Sequence, residues 1–372
     1  MKMEDTSGQA RPRAREFGIT PGTLKTGRWN AITDVPGVSV GHCTLISGHG
    51  RLDPGKGPVR TGVTAILPHD GNTFRWKASA ASFVLNGFGK SIGLIQVEEL
   101  GTLETPILLT NTLNVGIVAD ALIEYMLERN PEIGVTTTSV NPVVMECNDS
   151  FLNDIRGRHV KKIHVINALE NAEDGSLEEG AVGAGTGMSA FELKGGIGAS
   201  SRIVPKQQGG YTVGVLALTN FGMMPDLIID GVPVGRHLNL REVPSNLDGS
   251  IIIVIATDAP LSSRQLGRVA KRATHGLART GSISGHGSGD VVIAFSNTNL
   301  VPHFQDEAEA GPLCIFEEDI NGLFRAAIEA VEEAILDSIF KADSIVGRDD
   351  NTRVALPLDQ TREILARYGR LM

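Results

Sequence analysis

Asp248-Gly249-Ser250-Ile251-Ile252-Ile253-Val254-Ile255 is the stretch on which the reading of this chain turns. A turn-forming Asp-Gly pair delivers one small hydroxyl residue onto five consecutive apolar residues, all β-branched. Such side chains are stiff at χ1 and favour extended backbone, so the run predicts a buried strand. Gly249 and Ser250 at its mouth have two readings. They are an ordinary hairpin exit, or they flank a scissile peptide bond whose cleavage makes Ser250 a new N-terminus, a nucleophile carrying its own base. Local sequence leaves both open.

Working outward, residues 242–249 read as a polar connector. Before it, residues 212–219 alternate as a central strand that ends in Asn220-Phe221-Gly222. After the β-branched run, an amphipathic helix is expected over 262–280, with Leu266, Val269, Ala270, Ala273 and Leu277 on one side. Ser262 or Ser263 would cap its start and Gly281 would end it. Residues 291–296 read as another buried strand, and the longest clean helical stripe covers 318–341. A short helix is expected over 359–368 and another over 114–129, the latter followed by Pro131. Residues 59–68, 91–97 and 160–168 read as strands, and residues 1–28 as a loosely ordered arm. Strands and helices come in groups without strict alternation, which points to a layered α+β sandwich in place of a doubly wound parallel sheet.

At 372 residues the chain is long enough to bury a large core, and its 41% hydrophobic and 21% charged content is that of a globular protein. A formal charge of −9 gives no electrostatic footprint for nucleic acid. The densest basic cluster, Arg264, Arg268, Lys271, Arg272 and Arg279, lies on the polar face of an expected helix. Cys43, Cys147 and Cys314 make neither a disulfide framework nor a metal pair, so a reducing, cytoplasmic setting is expected. No secretory h-region appears in residues 1–15, and no apolar stretch is long enough to span a bilayer. Glycine is the outlier: 44 residues, well above the usual ~7%. Many tight turns and close backbone approaches follow.

The candidate chemistry narrows quickly. Val182-Gly183-Ala184-Gly185-Thr186-Gly187 lacks the P-loop Lys-Ser/Thr, and an acidic loop stands where a dinucleotide site needs a strand. The nine histidines show no paired metal spacing, so neither metal nor cofactor is expected. His286, in Gly285-His286-Gly287-Ser288-Gly289-Asp290, sits in a reactive-looking loop, yet no nucleophile elbow is present. Ser288 and Asp290 lie two apart at a strand start, so an extended backbone turns both to one face. They form either a hydroxyl–carboxylate relay or a polar strand edge. Glu146 is either a solvated turn residue or, in a pocket, the partner of a substrate ammonium. Cys147 has no basic neighbour that would make it a thiolate.

Taken together these segments resemble the DmpA-type aminopeptidases, a family that includes the β-peptidyl aminopeptidases. The resemblance runs from Phe17-Gly18-Ile19 and Asn30-Ala31-Ile32-Thr33-Asp34-Val35-Pro36-Gly37-Val38 through Arg60-Thr61-Gly62-Val63-Thr64. It continues with Lys194-Gly195-Gly196-Ile197-Gly198, Asn220-Phe221-Gly222 and Asp248-Gly249-Ser250, and closes on Gly287-Ser288-Gly289-Asp290. It implies an αββα sandwich, one domain over 1–372, made as a precursor that cuts itself between Gly249 and Ser250 into a 1–249 α chain and a 250–372 β chain. By matching motif, Ser250 is the nucleophile and Asn220 helps bind the oxyanion. Ser288 and Asp290 support the nucleophile, and Glu146 receives the substrate's amino group. Some members carry Glu at the position of Asp290 and Tyr at that of Asn148.

The physical logic agrees. A free α-amine, with a pKa of about 7.7–8.0, serves as general base to its own hydroxyl, whereas the same nitrogen in an amide does not. Gly249 lacks a Cβ, which lets the hydroxyl approach the preceding carbonyl. The expected activity is a serine aminopeptidase acting on short peptides, amides or esters with a free amino terminus. Homo-oligomers of αβ units are implied by the resemblance, and neither membrane nor nucleic acid is an expected partner. The rival readings are an acyltransferase of the ornithine acetyltransferase kind, which uses threonine where this chain has Ser250, and a non-catalytic binding protein on the same scaffold.

Overall fold

The computed structural model describes residues 10–240, 249–304 and 314–371. Its strands are β1 (Ser39–Ser47), β2 (Val59–Leu67), β3 (Trp76–Gly87), β4 (Thr102–Leu103), β5 (Ile107–Asn111), β6 (Val143–Cys147), β7 (Ser189–Ala190), β8 (Leu193–Lys194), β9 (Ile197–Ile203), β10 (Thr212–Asn220), β11 (Ser250–Thr257), β12 (Gly289–Pro302), β13 (Ile345–Val346) and β14 (Thr352–Arg353). Its α-helices are α1 (Ala14–Phe17), α2 (Leu94–Leu100), α3 (Val115–Arg129), α4 (Lys162–Glu170), α5 (Ser263–Arg279), α6 (Asn321–Phe340) and α7 (Leu358–Arg367).

Two sheets carry the fold, a four-stranded one ordered β1-β2-β5-β6 and a six-stranded one ordered β4-β3-β12-β11-β10-β9. The β-branched run explains their stacking. Along β11, Ile251, Ile253 and Ile255 join a core shared with Leu266, Val269 and Ala273 of α5 and Ala327, Val331 and Ile335 of α6. The alternate residues Ile252, Val254 and Ala256 face Ile66, Ile107, Leu109 and Met145 of the other sheet. A third core lies beyond it, where Val63, Ala65, Leu108 and Val144 meet Val118, Leu122, Val165 and Leu169 of α3 and α4. Period-two alternation thus gives four layers, α, β, β, α, the sandwich expected from the sequence.

β11 sits in the middle of its sheet. It runs antiparallel to β10, with Asn220 opposite Ser250, and parallel to β12, with Ser250 opposite Gly289. A parallel pair needs a crossover, and α5 supplies it. That helix begins where expected: Ser262 Oγ accepts from Gln265 N and Gln265 returns the bond, and Gly281 takes a left-handed φ of 104° just beyond its end.

Three expectations fail. Residues 91–97 are mostly helix, because left-handed Gly93 and Gly101 bracket α2 and its apolar residues Ile95 and Leu100 point to solvent. Residues 160–168 are mostly α4: Val165, Ala168 and Leu169 are buried at helical spacing against the four-stranded sheet, while Ile163 is exposed. From residue 10 onward the supposed loose arm is held in place. Arg13 pairs with Glu179 at 2.7 Å and Asp337 at 3.2 Å, Arg15 with Glu333 at 2.7 Å, and Ala14 and Phe17 are buried. Asp248, with most of the connector, lies outside the described residues. Among those described, no helix is long and apolar enough to cross a membrane.

Candidate active site

The register of three strands assembles the site. β10 ends on Asn220, β11 starts on Ser250 and β12 starts on Gly289, side by side. All of Asn220, Ser250, Ser288 and Asp290 are buried. Gly289 N donates to Ser250 Oγ at 3.1 Å. Ser288 Oγ donates to Asp290 Oδ1 at 2.5 Å, so the two-residue spacing does turn both side chains to one face. Burial pushes the Asp290 carboxyl above its ordinary range, and hydrogen bonds from Ser288 and Ser284 oppose that shift. A glycine at 249 is a packing requirement: a Cβ there would stand 2.5 Å from Asn220 O and from Phe221 Cα, closer than non-bonded carbon and oxygen tolerate.

Asn220 is held at both ends of its amide. Oδ1 accepts from Ser189 N at 2.9 Å, and Nδ2 donates to Asn148 O at 3.0 Å. The donor end therefore faces the side on which Asn148, Gly249 and Ser288 line a cleft of about 550 Å³. His286 is exposed on the rim of that cleft. Asn86 Nδ2 bonds the carbonyls of Gly285 and His286 at 3.1 Å, and that of Ser288, fixing the loop that leads into β12.

Glu146 comes from the other sheet, on β6. It is buried, and its Oε1 accepts from Lys90 N at 3.0 Å while Thr112 Oγ1 donates to Oε2. Gly89 separates it from the start of β12: a Cβ on Gly89 would stand 3.7 Å from Glu146 Oε1 and 3.8 Å from Gly289 Cα. The solvated-turn alternative is thereby excluded. Cys147, next in sequence, is fully buried, and burial raises its thiol well above the usual value, with Glu146 and Asp290 adding to the effect. It is an inert core thiol.

Three further residues surround the site, none of them marked by the sequence as a site residue. Lys194 is fully buried, and its Nζ donates to the carbonyls of Gly185 (3.0 Å), Met188 (2.8 Å) and Gly195 (2.5 Å). Burial lowers its pKa to about 7. The Met188–Ser189 peptide thus has its carbonyl on Lys194 and its N–H on Asn220. Asp149 accepts from Asn111 and Asn153 at 3.0 Å, and burial raises it to about 6. Arg353 lines the cleft from β14. Arg353 and Asp149 meet Ser189 and Asn111 only on folding, while Lys194 binds carbonyls one to nine residues away that its spacing does not announce. Among the described residues, no group of His, Cys, Asp or Glu is arranged to hold a metal ion.

Comparison with known proteins shows the family to which the chain belongs. The family described as Peptidase family S58 matches residues 30–353, and the chain belongs to that family. It is 42% identical to the beta-peptidyl aminopeptidase BapA of Sphingosinicella microcystinivorans, over 97% of this chain and 93% of the relative. Among solved structures, the PH0078 protein from Pyrococcus horikoshii OT3 superposes with a TM-score of 0.93 at 56% identity, covering 97% of this chain and all of that one. The L-aminopeptidase D-Ala-esterase/amidase of Ochrobactrum anthropi superposes with a TM-score of 0.90 at 38% identity, over 97% of this chain and 100% of the other. That structure is described as a prototype of the serine aminopeptidases and a new variant of the Ntn hydrolase fold.

Proposed function

We propose that Ser250 is the nucleophile of a self-processing serine aminopeptidase, released as an N-terminus by cleavage of the Gly249–Ser250 bond. The chain is a hydrolase of the aminopeptidase class, as its S58 family and its relatives support. The observation that carries the assignment to Ser250 is its position: first residue of a buried central strand, Oγ 3.1 Å from Gly289 N, directly across from Asn220.

The chemistry balances with these groups. In the precursor, Ser250 Oγ attacks the Gly249 carbonyl carbon; a C–O bond forms, the C–N bond breaks, and the Ser250 nitrogen leaves as an amine. Water hydrolyses the ester and leaves Gly249 as a carboxylate, giving chains 1–249 and 250–372. In the processed enzyme that amine takes the hydroxyl proton as Oγ attacks a substrate carbonyl. The Nδ2 donor of Asn220 faces the developing oxyanion. Ser288, donating to Asp290, keeps lone pairs to accept from the Ser250 amine. The leaving amine takes its proton from the Ser250 ammonium, and water, giving a proton to the freed Ser250 amine, hydrolyses the acyl ester and restores the hydroxyl.

Glu146 pairs with the substrate's free ammonium. Among the described residues it has no cationic partner, and a buried carboxylate favours one. N-acetylation of a substrate should therefore lower kcat/KM by at least about 10-fold, measured on one peptide in both forms; equal turnover removes this role from Glu146. A reducing, cytoplasmic setting is consistent with the free thiols Cys43, Cys147 and Cys314. Assembly into oligomers of αβ units is carried over from the family resemblance.

A further inference from the structure

Arg353 is an anomaly at the edge of the cleft. It is 5% exposed, and its guanidinium lies 3.7 Å over the ring of Phe151. Nε donates to Ser189 Oγ at 3.0 Å. Nη1 is buried without a hydrogen-bond acceptor, and among the described residues no carboxylate forms an ion pair with the side chain. The acids that share the cleft are Glu192 and Asp226; Glu192 has its Oε2 accepting from Met224 N at 3.2 Å. Burial lowers the pKa of the Arg353 guanidinium, and Glu192 opposes that drop as a charge at a distance. A buried guanidinium with no directly bonded counter-charge is costly unless an anion completes it. The free edge of a guanidinium is shaped to take a carboxylate through two parallel N–H···O bonds.

Position tells which carboxylate. In the strand order β3-β12-β11-β10, Glu146 stands against Gly89 and Gly289, on the β12 side of Ser250. Ser189, which bonds both Asn220 and Arg353, stands on the β10 side. A substrate with its ammonium at Glu146 and its scissile carbonyl at Ser250 therefore extends its leaving residue toward Arg353.

We propose that Arg353 binds the free C-terminal carboxylate of the leaving residue, so that this aminopeptidase favours dipeptides over amides and esters of the same N-terminal residue. The inference rests on the reading of Ser250 and Glu146 given above. Its test is the ratio of kcat/KM for alanyl-alanine over alanyl-alanine amide, in the wild type, Arg353→Met and Arg353→Lys. Two charge-assisted bonds predict a wild-type ratio of about 10 to 100. The ratio should fall to about 1 in Arg353→Met and lie between in Arg353→Lys, which keeps the charge and loses the fork. Division into two chains, read by denaturing gel, reports that each variant has folded. A residue that only props up Ser189 would slow both substrates together, so an unmoved ratio overturns the proposal while leaving the aminopeptidase reading intact. A wild type that cleaves neither substrate overturns both.

Discussion

At the scale of single residues, the site depends on side chains held from behind. Asn220 has one end of its amide fixed by Ser189 N, and Ser189 shares a peptide bond with the carbonyl that Lys194 grips. A donor aimed this way needs no reorganisation when negative charge develops, which is why such donors matter more to kcat than to binding. Asn220→Ala is therefore expected to lower kcat by about 10²- to 10³-fold with KM little changed, measured on a free-amine peptide. A loss carried by KM would place Asn220 in ground-state binding instead. Ser250, Asn220, Ser288 and Asp290 were legible in the sequence because each lies at a strand end or in a short motif. Arg353 and Lys194 were not. Arg353 meets Phe151 and Ser189 only after folding, and Lys194, though part of a glycine-rich motif, shows its grip on three carbonyls only in the fold.

At the scale of elements, β11 was the most legible part of the chain, since five β-branched residues admit little besides a strand buried on both faces. α5 was legible for a different reason, its capping box and terminal glycine. The misread segments share one cause. Residues 91–97 and 160–168 are short and apolar, and for such runs periodicity alone does not separate strand from helix. Solvent-facing Ile95 and Ile163 completed the false pattern. The start of β11 also sets a prediction. Because a Cβ at 249 would stand 2.5 Å from Asn220 O and Phe221 Cα, Gly249→Ala must shift the backbone leading into Ser250. Self-cleavage should slow by at least about 10-fold with Ser250 unchanged, followed by the disappearance of full-length chain on a denaturing gel. Wild-type processing in that variant would mean that the close approach is not what the glycine is for.

At the scale of the whole molecule, the sheet order settles how a divided chain would stay together. β11 and β12 belong to the segment after residue 249, yet they lie between β10 and β3 from the segment before it. α6, also from the later segment, packs on β9 and β10, with Arg202 fully buried and paired to Glu333 at 2.6 Å. Separation would break ladders on both sides of the β11–β12 pair and strand buried charges. The two chains should therefore co-elute in native size-exclusion chromatography and part only in denaturant; separate elution under native conditions would contradict this account.

That Ser250 becomes an N-terminus is tested most directly by intact mass under denaturing conditions. Wild-type protein should give two species, residues 1–249 and residues 250–372, while Ser250→Ala should give one undivided chain with no peptidase activity. A single 372-residue species from active wild-type protein, or full activity in Ser250→Ala, would contradict it.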